Sequence, residues 1–146
     1  MDSIEITNMT LEDLDSISSI LVSDFDDFWT LDILSSELKS NSSYYFVAKI
    51  NEKIVGFAGI KVILDEVDIM NIVTRKNFRN LGIGGLLMQK LLDLSRSLGV
   101  TRITLEVNEE NFSAIHLYEK FGFKRVGTRK NYYNDNNGLL MQLNLD

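Results

Sequence analysis

The sequence predicts an α/β fold in which one mixed sheet of seven strands has helices packed on both faces. Two observations support this fold class. Segments typical of strands, with alternating or continuous apolar residues, occur seven times, and segments with apolar residues at helical spacing occur four times. Their order along the 146 residues is β-α-α-β-β-β-α-β-α-β-β, which combines hairpins with strands connected through helices and therefore gives a mixed sheet.

The N-terminal third contains one strand and two helices. Residues 4–7 alternate like an edge strand, and a helix begins at Thr10, a residue type that caps helices well. Its apolar residues recur at helical spacing at Leu14, Ile17, Ile20 and Leu21. A second helix is predicted over 31–39. Residues 24–29, in which aromatic and acidic side chains alternate, are predicted to form a loop between the helices.

The remaining two thirds contain the rest of the sheet. Residues 44–50 and 54–64 read as a hairpin joined by the turn 51–53, and a further strand ends at Val73. An amphipathic helix covers 82–98, with Gly99 as its C-terminal stop. The last elements are a strand over 102–107, a helix over 113–121, and strands over 123–129 and 139–145.

The composition bounds the class of protein. The chain is 45% apolar and has no internal linker, so a single domain over 1–146 is predicted. It contains no cysteine and one histidine, which excludes disulfides, a cysteine nucleophile and zinc–thiolate sites, and no metal is expected. Residues 1–5 lack the features of a signal peptide, and no apolar run approaches the roughly 20 residues that cross a bilayer. A cytoplasmic protein without a membrane partner is therefore expected.

The negative charge is concentrated near the N-terminus. The net charge is −6, and the acidic residues of the first 50 positions are opposed there only by Lys39 and Lys49. An acidic surface repels nucleic acid and attracts a cationic substrate such as an amine or a basic peptide. We therefore expect no direct nucleic-acid partner. A solubilising surface without a binding role is an equally good interpretation of the same charges.

Residues 79–85, Arg-Asn-Leu-Gly-Ile-Gly-Gly, are predicted to bind a phosphate group. Glycine permits positive φ angles and close approach of a ligand, and the first amides of the following helix lack intrahelical acceptors. Together with the partial positive charge of a helix N-terminus, these donors favour a pyrophosphate. A Walker loop is excluded because Leu86 follows the glycines, and a dinucleotide fingerprint because Leu87 stands where a small residue is required. A turn that merely needs glycine is the alternative.

The pattern that remains, Arg/Gln-x-x-Gly-x-Gly/Ala at Arg79, Gly82 and Gly84, resembles the coenzyme A loop of the GCN5-related N-acetyltransferase (GNAT) superfamily. Residues 105–123 resemble the second signature of that superfamily and follow in the expected order. Nearly the whole chain resembles the ribosomal-protein-alanine N-acetyltransferase (RimI) type. The stretches that carry this likeness are Leu64-Asp65-Glu66, Asn71-Ile72-Val73, Leu105-Glu106-Val107 with Asn111, 117–123 and 129–133. The chain departs from the pattern at Lys76, where proline is usual, and at Asn80, where arginine is common.

The resemblance implies the GNAT acyl-CoA N-acyltransferase fold and acetyl-CoA as the co-substrate. In that fold the two strands that would end here at Val73 and Val107 splay apart, and the pantetheine arm lies in the gap. Arg75 and Lys76 are possible additional contacts to the phosphates. The implied coenzyme-binding residues are Ile72, Val73, Thr74, Arg79, Asn80, Leu81, Gly82, Ile83, Gly84, Gly85 and Asn111.

The resemblance also implies two catalytic residues. Glu106 matches the general base that takes a proton from the amine, and Tyr118 matches the general acid that protonates the departing thiolate. Without the resemblance, Glu106 would be a salt-bridged strand carboxylate and Tyr118 an ordinary core residue. Asn111 alternatively caps the helix over 113–121, and the two roles can coexist. His116 is predicted to point to a different helix face from Tyr118 and to be structural or exposed.

The implied reaction is direct transfer of an acetyl group, in a ternary complex, to the N-terminal α-amine of an alanine-starting ribosomal protein. The enzyme is expected to act as a monomer. A small-molecule amine or a lysine side chain is an alternative acceptor, because loops that vary freely on a fold determine the acceptor. A non-catalytic acyl-CoA-binding module is the alternative from another class. Candidate acceptor-binding residues are Phe28, Trp29, Glu109, Tyr132 and Tyr133.

Overall fold

The computed structural model describes residues 3–25, 29–133 and 135–145, without the side chain of Tyr133. The order of strands and helices is the predicted one. The strands are β1 (Ile4–Asn8), β2 (Ser43–Ile50), β3 (Lys53–Ile63), β4 (Glu66–Thr74), β5 (Arg102–Asn108), β6 (Lys124–Tyr133) and β7 (Asn136–Asn144). The α-helices are α1 (Leu11–Ile17), α2 (Leu31–Leu38), α3 (Ile83–Ser97) and α4 (Phe112–Lys120). Shorter helical turns cover Ser18–Ile20, Leu21–Phe25 and Lys76–Phe78.

The sheet is mixed and has seven strands in the order β1-β2-β3-β4-β5-β7-β6. The pairs β1/β2, β2/β3, β5/β7 and β6/β7 are antiparallel, whereas β4 and β5 are parallel and are connected through α3. The predicted fold class is therefore confirmed. No helix within the described part of the chain is long and apolar enough to span a membrane.

The chain divides into two compact units. The N-terminal unit consists of Met1–Lys61 and Met70–Leu94, and the C-terminal unit consists of Val62–Ile69 and Ser95–Asp146. The single domain over 1–146 stays a prediction.

The N-terminal unit has an apolar core built from the two predicted helices and the hairpin. Leu14 and Ile17 of α1, Leu34 of α2 and Phe57 of β3 are each at most 3% exposed within this core. The hairpin turn holds Asn51 and Glu52 at φ angles of 49° and 70°, as a two-residue type I′ turn requires. This turn sets the register of the adjacent pairs, Ile50 opposite Lys53 and Lys49 opposite Ile54, and an irregularity between Ala48 and Lys49 shifts the register by one residue beyond them.

The start of α1 at Thr10 is confirmed and is fixed by a capping box. The Thr10 hydroxyl accepts a hydrogen bond from the Asp13 N–H at 3.0 Å, and the Asp13 carboxylate accepts one from the Thr10 N–H at 2.9 Å. Lys49 of β2 lies 3.0 Å from the other Asp13 oxygen. Burial alone would raise the pKa of Asp13, but these hydrogen bonds and the lysine hold that pKa below its ordinary value.

The loop prediction for residues 24–29 is wrong at its beginning. Asp24 and Phe25 lie in the helical turn Leu21–Phe25, and residues 26–28 lie outside the described residues. Phe25 is 1% exposed and packs its ring 5.6 Å from that of Phe57. Because burying this ring stabilises a helical path through position 25, tertiary packing outweighs the local alternation of acids and aromatics.

The C-terminal unit contains α4 between β5 and the β6/β7 hairpin. β5 pairs with β7 along its whole length, from Arg102 opposite Asn144 to Asn108 opposite Gly138. Its parallel register with β4 runs from Glu66 opposite Arg102 to Asp68 opposite Thr104. The Thr104 hydroxyl donates a hydrogen bond to the Asp68 carboxylate.

Candidate active site

The loop before α3 presents backbone donors without helical acceptors. The first hydrogen bond of the helix runs from the Leu86 N–H to the Gly82 carbonyl at 3.2 Å, so the amides of Ile83, Gly84 and Gly85 precede it. Ile83 is fully buried, which anchors this turn in the N-terminal unit. These three amides, at the positive end of a 15-residue helix, suit the oxygens of a diphosphate.

Two positions before α3 adopt left-handed backbone conformations. Gly82 has a φ angle of 84°, which favours glycine, and Asn80 has a φ angle of 66°. Asparagine tolerates this region better than most side chains do. The departure from the superfamily pattern at Asn80 is therefore compatible with the turn. Arg79, Asn80 and Leu81 are exposed, so this turn lies at the surface of the N-terminal unit.

Arg75, a possible phosphate contact, is instead held within the protein. Its guanidinium donates hydrogen bonds to the Asp24 carboxylate at 2.9 and 3.2 Å and to the Ile54 carbonyl at 3.3 Å. The backbone N–H of Arg75 donates to the Val55 carbonyl. The hydrogen bond from Arg75 lowers the pKa of Asp24. Arg75 thus fixes the chain between β4 and α3, while Lys76 and Arg79 remain exposed. Ile72 and Thr74 are half-buried, and Val73 is buried.

The two carboxylate oxygens of Glu106, on β5, lie in different environments. Its side chain is 17% exposed, and its Oε1 atom lies 3.3 Å from a guanidinium nitrogen of Arg129 on β6. Its Oε2 atom is buried and has no hydrogen-bond partner among the described residues. The salt-bridge interpretation of Glu106 is therefore confirmed for Oε1, whereas its role as a general base stays a prediction. A buried carboxylate oxygen without a hydrogen-bond partner costs free energy, so Oε2 is the atom of this side chain that needs an explanation.

Tyr118 lies on α4 of the same unit and is 8% exposed. Its ring packs 6.2 Å from that of Phe123, and its carbonyl accepts a hydrogen bond from the Phe123 N–H at 3.1 Å. Asn111 caps α4, since its Oδ1 atom accepts from the Ala114 N–H at 3.3 Å. The cap prediction for Asn111 is thereby confirmed, while its contact to the coenzyme stays a prediction. His116 is exposed, as predicted.

The candidate acceptor-binding residues lie in different environments from one another. Trp29 packs against the core of the N-terminal unit. Tyr132 is 42% exposed, and the guanidinium carbon of Arg129 lies 4.6 Å from its ring centroid. The N–H of Glu109 donates to the Asn137 carbonyl at 3.0 Å. Phe28 and the side chain of Tyr133 lie outside the described residues.

The structure collects the predicted residues into two sets. The loop 79–85 and residues 72–74 belong to the N-terminal unit, whereas Glu106, Glu109, Asn111, Tyr118 and Tyr132 belong to the C-terminal unit. No group of three or more His, Asp or Glu side chains suited to a metal ion occurs among the residues that the structure describes.

The N-terminal unit contains a buried polar contact that was not predicted from the sequence. Asn71 of β4 is 7% exposed and donates from Nδ2 to the Tyr45 hydroxyl at 3.3 Å, and Oδ1 has no hydrogen-bond partner among the described residues. Burial raises the pKa of the Tyr45 hydroxyl, which therefore stays a neutral phenol. Gly59 makes room for this ring, because a Cβ atom there would lie 2.6 Å from Cδ2 of Tyr45. The signal for this contact was a lone asparagine within an apolar strand.

Replacing Tyr45 by phenylalanine is expected to lower the free energy of unfolding by about 1–3 kcal/mol, because the buried Asn71 amide loses its hydrogen-bond partner. Urea denaturation would measure the loss. The matched control is Tyr44→Phe, whose side chain is 37% exposed and whose replacement should change stability by less than about 0.5 kcal/mol. Equal stability of the two variants would contradict the proposed importance of the contact.

Comparison with known proteins assigns the family. A model of the Acetyltransferase (GNAT) family matches residues 14–123, which include the glycine loop, Glu106 and Tyr118. The chain therefore belongs to the Acetyltransferase (GNAT) family, whose members are acyltransferases that use acetyl-CoA. The predictions of an acetyltransferase and of acetyl-CoA as its co-substrate are confirmed.

Individual relatives fall within one branch of this family. The chain is 36% identical over 132 residues to a Bacillus subtilis protein provisionally named a ribosomal protein bS18-alanine N-acetyltransferase, a match over 90% of this chain and 87% of that protein. It is 45% identical to the Haemophilus influenzae ribosomal protein bS18-alanine N-acetyltransferase over 83 residues, 57% of this chain and 56% of that protein. The resemblance to this type of acetyltransferase is thereby confirmed.

A solved structure has the same fold over almost the whole chain. The crystal structure of the ribosomal-protein-S18-alanine N-acetyltransferase from Escherichia coli superposes with a TM-score of 0.89 at 29% identity. The match covers 99% of this chain and 95% of that chain. The strand order and the four helices described above are thus those of an N-acetyltransferase of this family.

Proposed function

We propose that this enzyme transfers the acetyl group of acetyl-CoA to the N-terminal α-amine of an alanine-starting ribosomal protein related to bS18. The proposal rests on Glu106, whose buried Oε2 atom is an unused proton acceptor on β5. The names of the Bacillus subtilis and Escherichia coli relatives support the choice of acceptor. The same acceptor supports a cytoplasmic location, where ribosomal proteins are made.

Glu106 acts as the general base in this proposal. An α-amino group has a pKa of about 8 and is largely protonated near neutral pH, so it must lose a proton before it can attack a thioester. Oε2 accepts that proton, directly or through a water molecule, while Arg129 retains Oε1. The N–H bond of the ammonium breaks, an O–H bond forms on the carboxyl group, and the neutral amine becomes nucleophilic.

Tyr118 acts as the general acid. Its phenol donates a proton to the sulfur that leaves as the thioester C–S bond breaks, since a protonated thiol is a better leaving group than a thiolate. The phenolate then regains a proton from solvent or from the carboxyl group that took one from the amine. No covalent acetyl-enzyme is proposed, because the chain contains no cysteine and both proton transfers are available to a ternary complex.

Acetyl-CoA supplies the activated carbonyl group of this reaction. We propose that the amides of Ile83, Gly84 and Gly85 bind its diphosphate and that the backbone of residues 72–74 binds its pantetheine arm. Arg79, Asn80, Leu81 and Gly82 complete the diphosphate turn, and Asn111 contributes a side-chain contact. Since every one of these residues comes from the same chain, a monomer suffices without nucleic-acid or membrane partners.

Incubation of the full chain with acetyl-CoA and a library of peptides that differ in the first residue tests the acceptor. We expect one acetyl group on the N-terminal residue of peptides that begin with alanine, located by tandem mass spectrometry. A peptide with a blocked N-terminus and internal lysines serves as the control and should stay unmodified. Acetylation of those lysines, or of a panel of small amines in preference to every free N-terminus, would contradict the proposal.

A further inference from the structure

Glu106 and Arg129 form an ion pair although their strands are not neighbours. The sheet order places β7 between β5 and β6, so the two backbones are separated by two inter-strand spacings of about 4.8 Å each. The pair nevertheless closes to 3.3 Å, which requires both side chains to reach across the intervening strand. The residue of β7 at this point must therefore leave space on that face of the sheet.

Gly138 provides the space. It is opposite Arg129 on β6 and opposite Asn108 on β5, two residues beyond Glu106, whose own partner on β7 is Leu140. A Cβ atom at Gly138 would lie 3.1 Å from Cδ and 3.2 Å from Cγ of Glu106, and it would overlap Oε2. The carboxylate therefore occupies the volume that any larger side chain at position 138 would fill.

Further contacts hold Arg129 and the hairpin around Gly138 in place. The guanidinium of Arg129 lies over the Tyr132 ring at 4.6 Å, an arrangement that restricts its rotamers. On β7, the Asn137 carbonyl accepts from the Glu109 N–H at 3.0 Å, and the Asn137 side chain accepts from the Asn131 N–H at 3.0 Å. The neighbour of Gly138 is thus tied both to the end of β5 and to β6.

We propose that Arg129 and Gly138 are positioning residues that aim the Oε2 atom of Glu106 at the acceptor amine. Arg129 engages Oε1, so rotation of the carboxylate is restricted and Oε2 alone is left to take the proton. The absence of a side chain at Gly138 leaves free the volume that the Glu106 carboxylate occupies in this orientation. The inference rests on the proposed role of Glu106 as the base.

The ion pair is suited to orientation rather than to stability. The Arg129 side chain is 55% exposed, and pairs at such sites contribute little to the free energy of unfolding because water screens them. Misplacement of a reacting group by about 1 Å, in contrast, costs up to about 10²-fold in rate.

Steady-state kinetics of Arg129→Gln and Gly138→Ala test the inference. We expect kcat to fall by about tenfold or more in each variant while the KM for acetyl-CoA changes less than about twofold. Arg129→Lys should recover part of the rate, since it restores the charge without the paired guanidinium geometry.

Two matched controls separate positioning from a general effect on the sheet. Arg125→Gln removes another arginine of β6, whose guanidinium lies 3.6 Å from the Glu119 carboxylate. Gly127→Ala adds a methyl group to β6 at a position where only the Leu140 side chain lies nearby. Both should retain the wild-type kcat. Thermal unfolding of all variants checks that they are folded. If Gly138→Ala is unfolded, the kcat of Arg129→Gln alone tests the positioning role.

Measuring Glu106→Gln in parallel distinguishes the failure of this inference from the failure of the proposed function. If Glu106→Gln is inactive while Arg129→Gln keeps the wild-type kcat, the positioning role is wrong and the base assignment stands. If Glu106→Gln is fully active, both are wrong.

Discussion

Replacement of Glu106 by glutamine is expected to lower kcat/KM for peptide acetylation by about 10²- to 10⁴-fold, the usual contribution of a general base. Glutamine keeps the size of the side chain but cannot accept the proton of the ammonium. The loss should shrink as the pH rises toward and above the pKa of the peptide amine, about 8, since more of the acceptor is then already neutral. Initial rates between pH 6 and about 9.5 would measure both effects.

Glu119→Gln is the matched control for this experiment. Glu119 also pairs with a β6 arginine, Arg125, but its side chain is 46% exposed. Its replacement should leave kcat/KM within about twofold of wild type, as is usual for surface substitutions. Unchanged turnover of Glu106→Gln at every pH would show that another group, or bulk water, removes the proton.

Replacement of Tyr118 by phenylalanine is expected to lower kcat by about 10²-fold, the lower end of the range for acid–base catalysis. A thiol has a pKa of about 8.5 and leaves as a thiolate more readily than an alkoxide does, so help from an acid is worth less here than at an oxygen leaving group. The affinity for acetyl-CoA should stay within about threefold of wild type, because the proton donor acts mainly in the transition state. Calorimetric titration and steady-state rates would separate the two quantities.

Tyr44→Phe is the control, because it removes a phenol from β2 at an exposed position in the N-terminal unit. It should leave both kcat and coenzyme affinity unchanged. If Tyr118→Phe loses affinity at normal kcat, Tyr118 is a binding residue, and the leaving thiolate takes its proton from elsewhere. The buried ring of Tyr118 keeps its packing on Phe123 in the variant, so a loss of stability is not expected to obscure the result.

The order of the elements was predictable because each one has a local signal. The turn at Asn51 and Glu52, the cap at Thr10 and the stop at Gly99 lie within a few residues of the elements that they begin, join or end. The helical turn Leu21–Phe25 was not predictable in this way. It depends on the ring of Phe57 and the guanidinium of Arg75, which are distant in sequence and meet Phe25 only in the folded unit.

The candidate site was predictable only in part for the same reason. The glycine loop, Glu106 and Tyr118 follow from contiguous motifs, and their roles stay predictions. The importance of Gly138 and Arg129 depends on the register of three strands, and that of Asn71 on its proximity to Tyr45. A sequence pattern gives neither cross-strand register nor the place of one unpaired oxygen.

The donors of the first turn of α3 belong to the main chain, and this has an evolutionary consequence. A missense mutation changes a side chain but leaves the amide N–H in place, unless the new residue is proline. The proposed binding of the coenzyme diphosphate therefore depends little on side chains in this turn, whereas the proposed roles of Glu106 and Tyr118 depend on them entirely. Substitution of the exposed Leu81 leaves all three amides in place, while the φ angle of 66° at Asn80 restricts that position to residues that tolerate a left-handed backbone.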